Sequence, residues 1–213
     1  MRTIIIKKTL YKFNELSKEA QAQAIEIKRQ NILENYDDYE FYFKETIDDT
    51  LERWHDAGIN IDIADIAYNI SYSQGDGVSF TTDTPINIEK ALDKFIKEYP
   101  KYAKTVEDIK NNKNYQDVNL DYEFTIKRNS YQYTHEKTVH CDFTDISWEY
   151  TDGVWELADK IRQIIDKLKD DICGDIYHEL MELDQYITSD ENIIELLELN
   201  DYEYTQDGIE WCH

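Results

Sequence analysis

Ser71-Tyr72-Ser73-Gln74-Gly75-Asp76-Gly77-Val78-Ser79-Phe80 decides the architecture. Before it, Ile66-Ala67-Tyr68-Asn69-Ile70-Ser71-Tyr72 alternates apolar with polar residues, the period of a half-buried strand. After it, Val78-Ser79-Phe80-Thr81 resumes the alternation. Between them, Gly75 and Gly77 flank Asp76 and supply the positive φ that reverses a chain. The stretch predicts a β-hairpin with Gln74, Gly75, Asp76 and Gly77 at its turn.

Upstream, Thr3 to Tyr11 reads as a strand, and Ser17 as the N-cap of a helix from Lys18 to about Leu33. Tyr39, Phe43, Ile47, Leu51 and Trp54 recur at helical spacing and place a second helix over Tyr36 to Asp56, ended by Gly58. Ile59 to Ile63 alternates as a short strand or an extended lead-in to the hairpin. Downstream, Pro85 predicts a helix from Ile86 to Glu98. Pro100 interrupts it, and a weaker helix follows to about Lys110. Val118 to Arg128 and Tyr131 to Phe143 read as a second hairpin turning at Asn129-Ser130.

The longest periodic segment runs from Val154 to about Ile187. Leu157, Ile161, Ile164, Leu168, Ile172, Ile176, Leu180, Leu183 and Ile187 form its stripe, and Gly174 lies inside it as the mark of a kink or a close contact. A short helix over Asp190 to Leu199 follows, capped by Ser189, and Tyr202 to Trp211 closes the chain as a small hairpin or strand extension. The expected class is α+β: an antiparallel sheet of hairpins packed with several helices, with an acidic helical C-terminal part. One domain over 1–213 is expected, with 154–200 as a candidate acidic subdomain.

Charge is the second strong feature. Asp and Glu total 46 against 23 Lys and Arg, a net charge of −23 in 213 residues. Such a surface repels nucleic acid and anionic membrane and attracts basic proteins. It is equally what solubility alone requires. Aromatic content of 13%, with 17 Tyr and 4 Trp, indicates a folded chain with amphipathic rings available for contact. Three scattered Cys fit a reducing cytosol better than a disulfide framework. No apolar run suits a signal peptide or a membrane span, so a cytoplasmic protein is expected.

No constellation marks catalysis, and no cofactor is expected. Gly75-Asp76-Gly77 lacks the Gly-Lys-Ser/Thr of a phosphate loop and the spaced acids of a calcium loop. His140-Cys141 with Cys212-His213 contains the residue types of a zinc site, but adjacent strand residues point to opposite faces and do not chelate together. The candidate interaction surface is acidic. Between Asp142 and Glu203 nineteen carboxylates face only Lys160, Arg162, Lys167 and Lys169. Glu156, Asp159, Asp166, Asp170, Asp171, Asp175, Glu179 and Glu182 lie off the apolar stripe of the long helix. A row of carboxylates on a rigid helix can imitate phosphate spacing and occupy a cationic channel; the alternative is a solvated helix face.

Three motifs carry a resemblance. Tyr11-Lys12-Phe13-Asn14-Glu15-Leu16-Ser17-Lys18-Glu19-Ala20, the hairpin Tyr72 to Phe80, and Tyr204-Thr205-Gln206-Asp207-Gly208 resemble, in order, motifs of a group of small phage and prophage proteins. Val78 stands where that group has Ala, and Tyr204 where it has Phe. The resemblance spans almost the whole chain and implies a mobile-element setting, not a mechanism. Small acidic proteins of that setting often block host defence machinery, including CRISPR effectors with basic channels.

The expected function is therefore a non-enzymatic binder of a host defence protein with a basic nucleic-acid channel. It would make no direct contact with nucleic acid or membrane, and charge reversal at Asp166, Asp170 and Asp175 should weaken it. An antitoxin that neutralises a basic toxin, and a metal-dependent enzyme acting on a nucleotide signal, are the alternatives.

Overall fold

A computed structural model describes residues 7–35, 39–129, 133–145 and 153–211. The fold is α+β. Helices α1 (Lys18–Glu34) and α2 (Glu40–Trp54) precede the hairpin β1 (Ile66–Asn69) and β2 (Gly77–Phe80). Then come α3 (Ile88–Glu98), α4 (Ala103–Lys110), α5 (Tyr115–Asp121), the ribbon β3 (Tyr122–Arg128) and β4 (Val139–Asp145), α6 (Val154–Ile187) and α7 (Asp190–Leu199). Each pair of strands is antiparallel and forms its own two-stranded sheet.

The chain divides into two compact units. The first comprises Met1–Phe43 with Glu182–His213, and the second Lys44–Met181. The divisions between the two units fall within α2 and α6.

In the first unit, Ser17 caps α1 by accepting the Ala20 N–H at 3.2 Å, and Ser189 caps α7 by accepting the Asn192 N–H at 3.2 Å. The predicted strand over Thr3 to Tyr11 falls partly outside the described residues. Residues 1–6 lie outside the described part, 7–10 are irregular, and Tyr11 makes a single bridge to Tyr204. Tyr204 is almost fully buried, with its ring edge-on to Phe13 at 6.3 Å, so the terminal turn is anchored by an aromatic contact as well as by antiparallel bridges from Tyr204 to Tyr11 and Glu210.

In the second unit, α6 is the core. Leu157, Ile161, Ile165, Leu168, Ile172, Ile176 and Leu180 are each 2% exposed or less. The inward face of β3, Tyr122, Phe124 and Ile126, is buried as the alternation requires. A two-stranded ribbon is marginal by itself, and both edges of this one are closed. Thr82 donates its N–H to Ile126 O (3.1 Å) and accepts the Ile126 N–H on Oγ1 (3.0 Å), while the Ile86 N–H reaches Phe124 O (2.8 Å). This is why α3 begins at Ile88, capped by Asn87, and not at Ile86: residue 86 is held extended along β3.

Two further expectations are corrected. Val118 to Asp121 is helical, not strand. Asn112 Oδ1 accepts the Asn114 N–H (2.9 Å), Asn114 O accepts the Val118 N–H (3.0 Å), and only Val118 of that turn is buried, leaving Leu120 69% exposed. The second hairpin does not turn at Asn129-Ser130. Arg128 pairs with Val139, so residues 129–138 form the connection. Ser130 to Gln132 lie outside the described residues; Tyr133 to Thr138 lean on the first hairpin, where the Thr134 N–H reaches Gly75 O (3.3 Å).

That contact explains the glycines of the opening stretch. Gly75 and Gly77 have φ of +106° and +147°, and a Cβ would lie 2.5 Å from the Tyr133 ring or 2.7 Å from His135 Cα. Gly174 is the opposite case. It sits inside α6 with nothing within 4 Å of an added Cβ, and so marks no close contact. Gly174→Ala should therefore stabilise the protein by about 1 kcal/mol through helix propensity. Gly77→Ala should destabilise it by about 1 kcal/mol or more, both read by denaturant unfolding.

Candidate functional site

The eight carboxylates singled out from sequence occupy the long helix as expected, but most are engaged within the molecule. Asp159 accepts from Arg162 Nη2 (2.7 Å) and Gln163 Nε2 (2.8 Å), hydrogen bonds that hold its carboxyl below the usual range. Asp166 accepts from Arg162 Nη1 (2.9 Å) and from the Cys141 N–H (2.7 Å). Asp170 pairs with Lys169 (2.6 Å). Asp171 accepts the Tyr99 hydroxyl (2.6 Å) and pairs with Lys167. Asp175 accepts the Trp54 indole N–H (2.9 Å), and Glu179 pairs with Arg53 (2.8 Å). Glu156 is exposed in the first turn of α6, where its charge suits the helix dipole. Glu182 is exposed and belongs to the first unit.

Asp166 and Lys169 stand one turn apart on α6 and do structural work. Lys169 is 4% exposed and donates to Val139 O (2.8 Å) and Glu136 O (3.0 Å). Together with the Asp166 bond to the Cys141 N–H, it closes the free edge of β4 with side chains in place of a third strand. Charge reversal at Asp166 or Asp175 therefore reports on folding before it reports on a partner.

The hairpin turn is equally self-contained. Asp76 accepts the Ser73 N–H (2.7 Å), the Ser73 hydroxyl (2.8 Å) and the Ser71 hydroxyl (3.1 Å). Burial raises its pKa and these bonds outweigh that effect, leaving the carboxyl below its ordinary value. Gln74 is exposed at the tip. The turn orders itself and the 133–138 connection.

Carboxylates without an internal counter-charge lie elsewhere. On α2, Glu45, Asp48, Asp49 and Glu52 share the exposed face at i, i+3, i+4 and i+7, while Ile47, Thr50 and Trp54 are buried. None of the four pairs with a base among the described residues. On α7, Glu191, Glu195 and Glu198 share a face at i, i+4 and i+7, again exposed and without a paired base. Like charges at this spacing repel by a few tenths of a kcal/mol, and Glu195 and Glu198 also stand against the negative end of the helix dipole. The signal for α7 was legible: ten residues without a single Lys, Arg or His. The α2 row was hidden by its aromatic stripe.

The chemical candidates do not assemble. Cys141 and Cys173 are buried, and burial raises both thiols, Cys173 to about 12, so neither is a ready thiolate. His140 faces out beside Asp142 (3.3 Å) while Cys141 faces in; Cys212 and His213 lie outside the described residues. Among the described residues no group of three or more His, Cys, Asp and Glu is placed to hold a metal ion, and no helix is long and apolar enough to cross a membrane.

One base, Lys94, is tied down as firmly. Lys94, 8% exposed, reaches Asp56 (2.9 Å), Glu98 (3.3 Å) and Arg53 O (3.0 Å), with its ammonium 4.7 Å from the Trp54 ring centre. Hydrogen bonds from Lys97 and Lys94 lower the Asp56 carboxyl to about 2.

Two outcomes follow. Asp166→Ala and Lys169→Met should each destabilise the fold by about 1–3 kcal/mol, because each leaves buried backbone groups of β4 unpaired, whereas Glu195→Gln should stay within about 0.5 kcal/mol. Denaturant midpoints measure both. A carboxyl depressed in the folded state stabilises it above the unfolded pKa and loses that contribution as pH falls. Asp56→Asn should therefore flatten the stability profile between about pH 4 and pH 2, seen by thermal melting across that range.

Among curated proteins and solved structures no match to this chain is found. A family model described as a domain of unknown function, DUF8835, matches residues 42–190, from α2 to the first residue of α7. With well over half of its length matched, the chain belongs to the DUF8835 family.

Proposed function

We propose that the protein acts by stoichiometric binding, as a phage or prophage accessory protein of the host cytosol. Its target is a host defence effector that handles nucleic acid, such as a CRISPR nuclease, and it occupies the effector's basic surface. The observation that carries this reading is the pair of exposed carboxylate rows, Glu45, Asp48, Asp49 and Glu52 on α2 and Glu191, Glu195 and Glu198 on α7, which no base of the described chain neutralises. Rows that repel internally are relieved by a cationic partner, and their attraction to it acts over a Debye length. The net charge of −23 suits rapid association with a basic protein and opposes direct binding to nucleic acid. The resemblance of the helix start, the hairpin and the terminal turn to phage and prophage proteins supports the setting. Exposed Phe41 and Tyr42 on α2 offer apolar contact area of the kind that anchors interfaces.

The test is target-DNA cleavage by purified host effectors, each titrated with this protein. Inhibition should saturate near equimolar ratio and weaken at least about tenfold between about 0.05 and 0.3 M salt. Triple reversal Glu191→Lys, Glu195→Lys, Glu198→Lys should weaken it further while the melting temperature holds. Inhibition at far below equimolar ratio would indicate turnover and overturn the binding reading. Tight, salt-sensitive capture of a small basic toxin in place of an effector would move the same surface to an antitoxin role.

A further inference from the structure

The second unit contains a cleft whose charge runs against the rest of the chain. It has a volume of about 380 Å³, within the range of small-ligand sites. Its floor is a cluster of three rings from the end of α3 and the turn into α4. Phe95 lies 5.0 Å from Tyr99 and 5.6 Å from Tyr102, and Tyr99 and Tyr102 meet edge-on at 6.3 Å. Its rim is cationic: Lys101 from the turn, and Lys160 and Lys167 two turns apart on α6. No carboxylate lines it, in a chain where acids outnumber bases two to one.

The three lysines are not equivalent. Lys167 is fixed by Asp171 and lies 5.2 Å from the centre of the Tyr99 ring. Lys101 lies 5.1 Å from the centre of the Tyr102 ring, and neither it nor the exposed Lys160 makes an ion pair among the described residues. Of the other lysines in this unit, Lys94 and Lys97 pair with Asp56, Lys110 with Asp93 and Lys169 with Asp170, while Lys90, Lys104, Lys113, Lys127 and Lys137 make no ion pair among the described residues; Lys101 and Lys160 differ from these in standing beside three rings. Two unneutralised ammonium groups and a third held in place, above a partly exposed aromatic floor, form a site for a ligand with a flat apolar part and more than one negative charge.

We propose that this cleft binds a nucleoside polyphosphate. The base stacks on Tyr102 with Tyr99 edge-on beside it, and the phosphates are held by Lys160 and Lys101, whose charges no carboxylate among the described residues balances, next to Lys167, which Asp171 holds. A ring alone would gain stacking without using the lysines, and inorganic phosphate would leave the aromatic floor wet; a nucleotide uses both. A long polyanion is disfavoured by the charge of the whole surface, whereas a compact ligand meets only the local cationic field. This inference does not rest on the effector-binding role, since the cleft and the carboxylate rows share no residue.

Calorimetric titration of the full chain with ATP, adenosine, inorganic tripolyphosphate and a short single-stranded oligonucleotide tests it. ATP should bind with a dissociation constant at or below about 1 mM, and adenosine and tripolyphosphate at least about tenfold more weakly. The oligonucleotide should give no binding in the same range. Lys160→Glu and Tyr102→Ala, both at exposed positions, should each weaken ATP at least about tenfold with unchanged melting temperature and circular dichroism. The proposal is overturned by absence of ATP binding at millimolar concentration. Equal affinity for ATP and tripolyphosphate, tighter binding of the oligonucleotide, or a Lys160→Glu variant that binds ATP like the parent in fold and affinity also overturns it.

Discussion

The second unit depends on how one strand edge is closed. Among the described residues β4 has β3 on one side and no strand on the other, so its outward Cys141 N–H and Val139 C=O need partners. Asp166 and Lys169 of α6 supply them. Because the two residues are three apart, they project from adjacent turns and meet strand groups two residues apart. The same geometry turns the apolar stripe of α6 toward Phe124, Ile126 and Cys141, which share its burial. Helix and ribbon are thus tied by charge-assisted hydrogen bonds above a shared apolar layer. On the far edge, the extended residues Thr82 to Ile86 close β3 and lead directly into α3.

This use of charge changes the meaning of the acidic composition. A carboxylate on a core helix is not automatically a surface feature. Asp166, Asp171, Asp175 and Glu179 hold a backbone amide, a tyrosine hydroxyl, an indole and a guanidinium. The two rows of carboxylates without an internal counter-charge stand where a helix offers no base, on α7, or where neighbouring bases are taken, on α2. Arg53 is four residues from Asp49 yet bonds Glu179. A lysine's meaning depends on its surroundings in the same way: Lys169 is a structural donor, and Lys160 faces solvent at an aromatic cleft.

Helix stripes and caps were legible in the sequence. Ser17 and Ser189 cap as their positions require, the long stripe from Leu157 to Ile187 is buried over most of its length, and the glycine turn joins two antiparallel strands. These features are local: they depend on side-chain period and on hydrogen bonds within three or four residues. Of the two failures, the first was itself local and the second lay where a distant segment decides. Residues 118–121 continue the helical turn set by Asn112 and Asn114, although Leu120 keeps strand-like alternation with Tyr122 and Phe124. Residues 133–138 leave the second hairpin because the first hairpin's glycines receive them.

The sequence by itself determined the α+β class, the helical core with its caps, the reversal at Gly75 to Gly77, and the excess of negative charge. Each follows from composition or from interactions of short sequence range. The tertiary structure alone decided which carboxylates remain unneutralised, which strand edges need a side chain, and that Lys101, Lys160 and Lys167 converge on three rings. The physical reason is that a charge is defined by its neighbours in space. Periodicity gives the face of a helix on which a residue stands, but not the amide, the base or the ring brought against that face from elsewhere in the chain.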